Sequence, residues 1–515
     1  MTSLAHALRA AASRHADLPA IISGAHRLSF AVFDEQSDRF AAALTQRGIS
    51  KGDRVGLYCI NSDYFAIAYT GIVKAGATVV PINLLQSPSG IAYILNDAGA
   101  KALIYHAAFA EQAGLLKDSV PTLAFSVCLG GQVDGALRWE DMLATDAPTP
   151  AVDFDASEDL VAIIYTSGTT GRPKGVMLTH ANLLANTQSL REAWEWQPGR
   201  DVVLVVLPMF HAFAATVGML TPLLSGCAFA PLARFEPELV VQTIHATRAS
   251  IFLGVPSMFN VLLRLKPERA PLLASLRFCV AGGAALPVEV MGRFEATFGI
   301  AIYEGDGPTE CSPVTCVNPI GGLVKPGTVG LPVPGVEMRI VGEDGREQLP
   351  RGQVGEIAVR GANVMKGYWN LPAATAEVFR DGWFLTGDLG TEDEDGYFTI
   401  VDRKKDLIIV NGMNVYPRVI EEALYLFPPV KEVAVVGEPH ELHGEIPVAF
   451  IVLNESQTAT EAEIRAWCRQ RLGRHEIPRK IFLIPELPKN ATGKILKRQL
   501  RKQGEVERGV RGLED

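Results

Sequence analysis

Cysteine is sparse and unpatterned in this chain. The seven present, Cys59, Cys128, Cys227, Cys279, Cys311, Cys316 and Cys468, are odd in number and scattered over 515 residues. No spacing among them reads as a zinc site, a redox pair or a disulfide framework. Most sit inside apolar runs, so reduced, buried thiols in a cytoplasmic protein are expected. Neither sign of charge is in large excess, with 48 Lys+Arg against 57 Asp+Glu and a net charge of -9. Such a surface offers no electrostatic footprint for nucleic acid, and that partner is not expected. Long hydrophobic runs are missing too. The longest, Val202 to Phe210, is broken by Pro208 and is too short to cross a bilayer, so no integral membrane segment is expected. Internal repeats and low-complexity tracts are absent. The start, Met1 to His15, carries Arg9 and Arg14 without an acid, as a transit peptide would. The spacing of Leu4, Leu8 and Ala11 instead predicts the apolar face of an ordinary helix.

What is present is ample core material. Hydrophobic residues make up 48% of the chain, with 48 Gly and 32 Pro for turns, and the length calls for at least two domains. Strand-like runs apolar on both faces recur at Arg54 to Ile60, Thr78 to Pro81, Ala102 to Tyr105, Ala162 to Tyr165 and Val202 to Leu207. Helix-like segments such as Tyr64 to Lys74 lie between them, the pattern of a parallel α/β sheet. Ligands of such sheets bind at the carboxyl ends of the strands. Beyond about Val329 the runs become short and alternating, with Asp344-Gly345 and Asp395-Gly396 turns, which predicts a small barrel or antiparallel sheet. The charged knot Asp402 to Asp406 precedes a last α+β segment. The expected division is residues 1–401 and 402–515.

Tyr165 to Gly175 reads Y-T-S-G-T-T-G-R-P-K-G, after a buried strand and ahead of a predicted helix over His180 to Leu190. Glycines and small hydroxyls free backbone N–H groups to cradle phosphate, and Lys174 can neutralise it. The spacing is not that of a Walker loop, because Gly follows the lysine. This segment is similar to the signature loop of the adenylate-forming superfamily: acyl-CoA synthetases, aryl-CoA ligases, firefly-type luciferases and peptide-synthetase adenylation domains. The resemblance runs from about Leu4 to Lys497, with further motifs in the family's order.

The resemblance implies a large N-terminal domain of two parallel α/β subdomains plus a small β-barrel, followed by a small mobile α+β domain hinged at Asp402. It implies that Thr166, Ser167, Gly168, Thr169, Thr170, Gly171 and Lys174 hold the ATP phosphates. His211, in Pro208 to His211, and Phe213 would border the acyl pocket, floored by Gly282 and Gly283. Gly283 and Ala284 would touch the adenine. In Glu304-Gly305-Asp306-Gly307-Pro308-Thr309-Glu310, Thr309 would contact the α-phosphate and Glu310 would help to hold Mg²⁺, whose preference for hard oxygen ligands suits a carboxylate. Asp306 departs from the family, which has a stacking aromatic there. Asp388 and Arg403 would hold the ribose, two acceptor oxygens suiting two hydroxyls. Gly412 would leave room for the pantetheine thiol. Lys494 would be the catalytic lysine of adenylation, with Thr309 and His211 beside it.

The expected activity is ATP-dependent activation of a carboxylic acid as an acyl-adenylate, then transfer to coenzyme A. Ala212 to Val217 offers no carboxylate for an amino-acid ammonium, and the pocket segments are apolar. A medium- or long-chain fatty acid is therefore expected, with an aryl or arylpropenoic acid as the alternative. A carrier-protein ligase, a luciferase-like oxygenase and a non-catalytic nucleotide-binding relative are the other readings. The basic stretch Lys494 to Lys502 admits peripheral membrane contact, although a solvated face reads better. A homodimer is compatible with the sequence.

Overall fold

The computed structural model describes residues 2–166, 172–490 and 493–501. Two large sheets form its body. In the first, Ile302–Asp306, Phe278–Ala281, Ile251–Gly254, Val202–Val205, Ala228–Pro231 and Pro19–Ser23 run parallel, and short antiparallel strands close both edges. In the second, Leu160–Thr166, Thr78–Pro81, Arg54–Tyr58, Ala100–His106, Phe125–Leu129 and Leu137–Arg138 are parallel. Val202–Val205, Thr78–Pro81 and Ile251–Gly254 are buried at every residue. Helices cover both faces of a parallel sheet, so unbroken apolar runs are the ones that fit its centre. The helix Asp63–Lys74 illustrates the covering layer. Ser62 caps it by accepting from the Phe65 N–H, and every residue from Phe65 to Lys74 is buried. The helix Leu4–Arg14 buries Leu4, Leu8 and Ala11, the face its spacing predicts.

Two smaller sheets follow. Val336–Val341, Gly355–Gly361, Trp383–Glu392, Phe379–Arg380 and Phe398–Arg403 form an antiparallel five-stranded sheet. The last sheet joins Ile408–Val410, Met413–Val415, Val430–His440, Gly444–Leu453 and Lys480–Leu483. Its two faces carry cores of their own. Ile420, Leu424, Ile464 and Cys468 pack on one, and Phe450, Leu487 and Leu500 on the other.

The helix expected after the phosphate segment is present as His180–Ala193, and it is preceded by a strand not foreseen, Lys174–Thr179, which pairs antiparallel with Leu160–Thr166. The basic C-terminal stretch is partly engaged in ion pairs. Lys497 Nζ pairs with Glu421 at 2.8 Å and Arg501 with Asp406 at 2.9 Å. Among the described residues no helix is long and apolar enough to cross a membrane.

The two large sheets are stapled by one buried amide. Asn61 Nδ2, just beyond the strand Arg54–Tyr58, donates to the carbonyls of Leu207 (2.9 Å), Leu232 (3.1 Å) and Val205 (3.3 Å). Its Oδ1 accepts from Met209 N–H at 2.7 Å. The turn that presents His211 is thus fixed from the opposite sheet. Asn61→Asp keeps the acceptor and removes the donors, leaving buried carbonyls unpaired at a cost of about 1–3 kcal/mol. A lower urea midpoint by tryptophan fluorescence, with raised KM values, is the expected result. An unchanged midpoint would show the staple to be dispensable.

Candidate active site

The strands that flank the expected phosphate segment pair with each other up to its ends. Thr166 pairs with Lys174 across the two strands, while Ser167, Gly168, Thr169, Thr170 and Gly171 lie outside the described residues. Lys174 Nζ sits over the Tyr368 ring, 4.9 Å from its centroid. Tyr368 is itself fixed by pairing with Val176 and donates its phenol to Glu310 Oε1 at 2.9 Å. One side chain therefore joins Lys174 to the Glu310 carboxylate. Burial raises the Glu310 carboxyl above its ordinary value, opposed by the Tyr368 hydrogen bond. Sequence reasoning missed Tyr368. It lies 58 residues from Glu310, and the Gly-Tyr pair that carries it resembles any short strand.

Glu310 belongs to a single 3₁₀ turn, Thr309–Cys311, in which Thr309 is buried. The backbone leading to it is crowded. A Cβ on Gly307 would lie 2.0 Å from the Pro313 carbonyl oxygen, and one on Gly305 would lie 2.8 Å from that of Cys316. Only glycine fits at either position. Asn186 of the helix His180–Ala193 braces the far side, bonding Val314 through both its amide nitrogen (2.7 Å) and its oxygen (3.2 Å).

Glu304, at 2% exposure, turns inward. Its Oε1 accepts from Leu286 N–H at 2.9 Å, which ties the loop carrying Gly282, Gly283 and Ala284 to the strand Ile302–Asp306. Its Oε2 is buried without a hydrogen-bond partner among the described residues. Burial raises this carboxyl to about 7, against the pull of Arg418. Gly283 has a φ of 79°, and it and Ala284 are exposed. Gly282 lies under Phe213, where an added Cβ would come 3.1 Å from the ring. The Phe213 ring thus lies against the Gly282 backbone. His211 Nδ1 accepts from Phe213 N–H at 3.3 Å, and burial, then the charge of Lys494, lowers the imidazole to about 4. His211 is therefore neutral at physiological pH.

Asp388 and Arg403 face each other across adjacent antiparallel strands, Nε to Oδ1 at 3.1 Å. Asp306 lies near them. Burial and the Asp388 charge raise its carboxyl, while Arg403 opposes the shift. Lys494 enters this cluster from the end of the chain. Its loop is held by Asn490, which bonds the Lys494 N–H through Oδ1 at 2.8 Å. Gly493, with a φ of 80°, lies against Val255 and Ser257, where a Cβ would come within 3.1 and 3.3 Å. Burial, then Arg403, lowers the Lys494 ammonium to about 8, although Asp388 and Asp306 pull the other way. Gly412 is not brought into this group. It is exposed at a hairpin tip, and a Cβ there would meet nothing within 4 Å.

The arrangement can meet an anionic ligand with Lys174, Arg403 and Lys494 while Glu310 offers a hard acceptor. Tyr368→Phe keeps the ring beneath Lys174 and strips Glu310 of its donor. Losing a hydrogen bond to a charged group costs about 1.5–3 kcal/mol, roughly 10- to 100-fold in rate. Tyr368→Leu, which also removes the ring, is expected to be slower still. Steady-state rates with folding checked by circular dichroism read both, and a fully active Tyr368→Phe would remove the phenol from the site.

Comparison with known proteins gives this geometry a family. Residues 8–369 match the AMP-binding enzyme family and residues 419–494 match the AMP-binding enzyme C-terminal domain. A long-chain-fatty-acid–CoA ligase of Bacillus subtilis is 36% identical over 95% of this chain and 92% of its own. A feruloyl-CoA synthase of Amycolatopsis is also 36% identical, over 96% and 97%. ATP-bound MatB from Rhodopseudomonas palustris superimposes with a TM-score of 0.90 at 32% identity, covering 98% and 99%. The chain belongs to the AMP-binding enzymes, among their acyl-CoA ligases, whose substrates are a carboxylic acid, ATP and coenzyme A.

Proposed function

We propose that this enzyme activates a medium- or long-chain fatty acid in two half-reactions and exchanges two loops of a mobile C-terminal domain between them. The observation that carries this reading is the position of Lys494. It is inserted among Asp306, Asp388, Arg403 and His211 while Gly412 stays outside.

In the first half-reaction a carboxylate oxygen attacks the α-phosphorus of ATP and pyrophosphate leaves. Two anions must meet, so the protein's task is charge neutralisation and positioning. Lys494 would face the α-phosphate and the carboxylate. Thr309 would bond an α-phosphate oxygen, and Thr166 to Lys174 would hold the outer phosphates. Asp388 would accept from the ribose hydroxyls with Arg403 beside it. Neutral His211 would wall the acyl pocket with Phe213, over Gly282 and Gly283. Glu304, Gly305 and Gly307 would shape the nucleotide floor, with Ala284 against the adenine. Asp306 cannot stack on a base, which leaves the adenine to that backbone floor.

Mg²⁺ fits the Glu310 site. Among the described residues no group of three or more His, Cys, Asp or Glu converges on one point. Mg²⁺ commonly rests on one or two carboxylates with substrate phosphates and water, which is what Glu310 offers. When bound, it would supply further neutralisation of the phosphates. The Tyr368 bond would keep Glu310 oriented toward it.

In the second half-reaction the thiolate of coenzyme A attacks the acyl carbonyl and AMP leaves. Lys494 must first withdraw. We place the hinge at Asp402, between residues 1–401 and 402–515. The support is the separate core of the last sheet and the bonding of Asp402 on both sides, to Arg403 N–H at 2.7 Å and Arg418 N–H at 2.9 Å. Closure by hinge rotation is a familiar route between such states.

The aliphatic preference rests on the apolar segment Ala214–Leu220, buried throughout, and on the Bacillus relative. The equally similar feruloyl-CoA synthase favours an arylpropenoate as the second reading. Pyrophosphate release across acids of graded chain length and aryl acids, with and without coenzyme A, separates them. Best turnover on a cinnamate would overturn the aliphatic assignment.

Two further outcomes test Lys494. Lys494→Ala should abolish pyrophosphate release yet spare thioester formation from a supplied acyl-adenylate. Equal loss of both would refute the exchange. The lysine acts as a cation and is lowered to about 8. kcat/KM for adenylation should therefore fall as pH rises through about 8, well before an ordinary lysine deprotonates at roughly 10.4. The slower Lys494→Arg should lose that alkaline descent because guanidinium stays charged. A wild-type profile flat to pH 10 would contradict this.

A further inference from the structure

The hairpin that carries Gly412 is clasped by a second hairpin. Its strands Ile408–Val410 and Met413–Val415 are joined by Asn411 and Gly412, at φ of 52° and 79°. Two positive φ values in an Asn-Gly pair describe the type I′ turn of a tight hairpin. The second hairpin joins Val430–His440 to Gly444–Leu453. Its turn residue His443 reaches the first turn twice. The His443 carbonyl accepts from Asn411 N–H at 2.9 Å, and His443 Nδ1 lies 2.9 Å from Asn411 Oδ1. An amide oxygen only accepts, so the Nδ1 of His443 carries the proton.

The clasp is supported from both sides. His440 stacks on His443 with ring centroids 4.8 Å apart and 27° between planes. His440 Nδ1 accepts from Leu442 N–H at 3.2 Å, which fixes the ring. Ile409 N–H donates to Glu445 Oε2 at 2.8 Å, and Val410 pairs with Gly444. Asn is one of the few residues with a Cβ that visit the left-handed region routinely, so what the clasp adds at Asn411 is a fixed side chain and turn orientation. Among the described residues, the His443 ring is the hydrogen-bond partner of the Asn411 side chain. None of these bonds involves the Lys494 loop, which is held by Asn490.

We propose that His443 is a positioning residue for thioester formation, its Nδ1–Asn411 Oδ1 bond holding the Asn411–Gly412 turn in the shape presented to the acceptor thiol. This rests on the reading that the Gly412 hairpin replaces Lys494 in the second half-reaction. The effect is specific to one step. A loosened turn slows capture of the adenylate and leaves its formation alone.

The test uses the full-length enzyme and measures the half-reactions separately. Pyrophosphate release is followed with ATP and acid in the absence of coenzyme A. Acyl-CoA formation is followed after coenzyme A is added to preformed enzyme-bound adenylate. His443→Ala should slow the second step about tenfold, the worth of one hydrogen bond, and change the first by less than twofold. Asn411→Gly keeps the left-handed backbone, removes the amide and should match it. The double variant should be no slower than either single, because both remove one interaction. His443→Asn places an amide Nδ2 where Nδ1 lies and should recover most of the rate, which a loss of general stability would not allow.

An unaltered second step in His443→Ala, an equal slowing of both steps, or additive losses in the double variant would overturn the proposal. Gly412→Trp is the separate control on the parent reading. If that bulk leaves the second step untouched, the hairpin is not the thiol's entry point, whatever His443 does.

Discussion

The period-two alternation of one strand organises the site. Phe398–Arg403 ends in two adjacent charges, and neighbouring residues of a strand point to opposite faces. Arg403 faces Asp388 across the ladder, on the side where Asp306 and Lys494 gather. Asp402 faces the other way and accepts from Arg418 N–H in the first turn of the helix Pro417–Tyr425. A carboxylate suits the positive end of a helix. A single step along the chain thus separates the ligand side from the side that leads into the last sheet. A register slip of one residue would exchange the two roles.

Polar side chains inside the body hold the surrounding loops in place. Asn61 staples one sheet to the turn bearing His211, and Asn186 braces the segment after Glu310. Glu304 fastens the loop that carries Gly282 to Ala284 through Leu286. Each spends its bonding capacity on backbone groups of irregular segments, which would otherwise be unpaired where water cannot reach. Loops fixed in this way keep dipoles and charges oriented before a substrate arrives, the condition under which electrostatic catalysis is strongest.

Parallel strands were legible because a run such as Val202–Val205 is uniformly apolar and too short for a buried helix. The site motifs were legible because glycine and hydroxyl patterns are local. The strand Lys174–Thr179 was not, since its alternation is blurred by a glycine and by two buried neighbours. Tyr368, Asn61 and Asn186 escaped for another reason. Their partners lie 58, 148 and 128 residues away, and no periodicity records a contact of that span. The pairing of Lys497 and Arg501 with Glu421 and Asp406 is likewise tertiary, and a run of basic residues gives no sign of it.

The sparse cysteines acquire a meaning beside this chemistry. Cys279 leads into Gly282, Cys311 follows Glu310, and Cys316 pairs with Asp306 in the sheet. Three thiols thus border the segments that carry Gly282, Glu310 and Asp306. All three are fully buried, and burial raises each well above the ordinary thiol value, with nearby carboxylates adding to the effect at Cys311 and Cys316. Thiolate is the nucleophilic form, and these groups are held as neutral thiols out of reach. Buried and neutral, none of the three offers a thiolate to compete as a nucleophile.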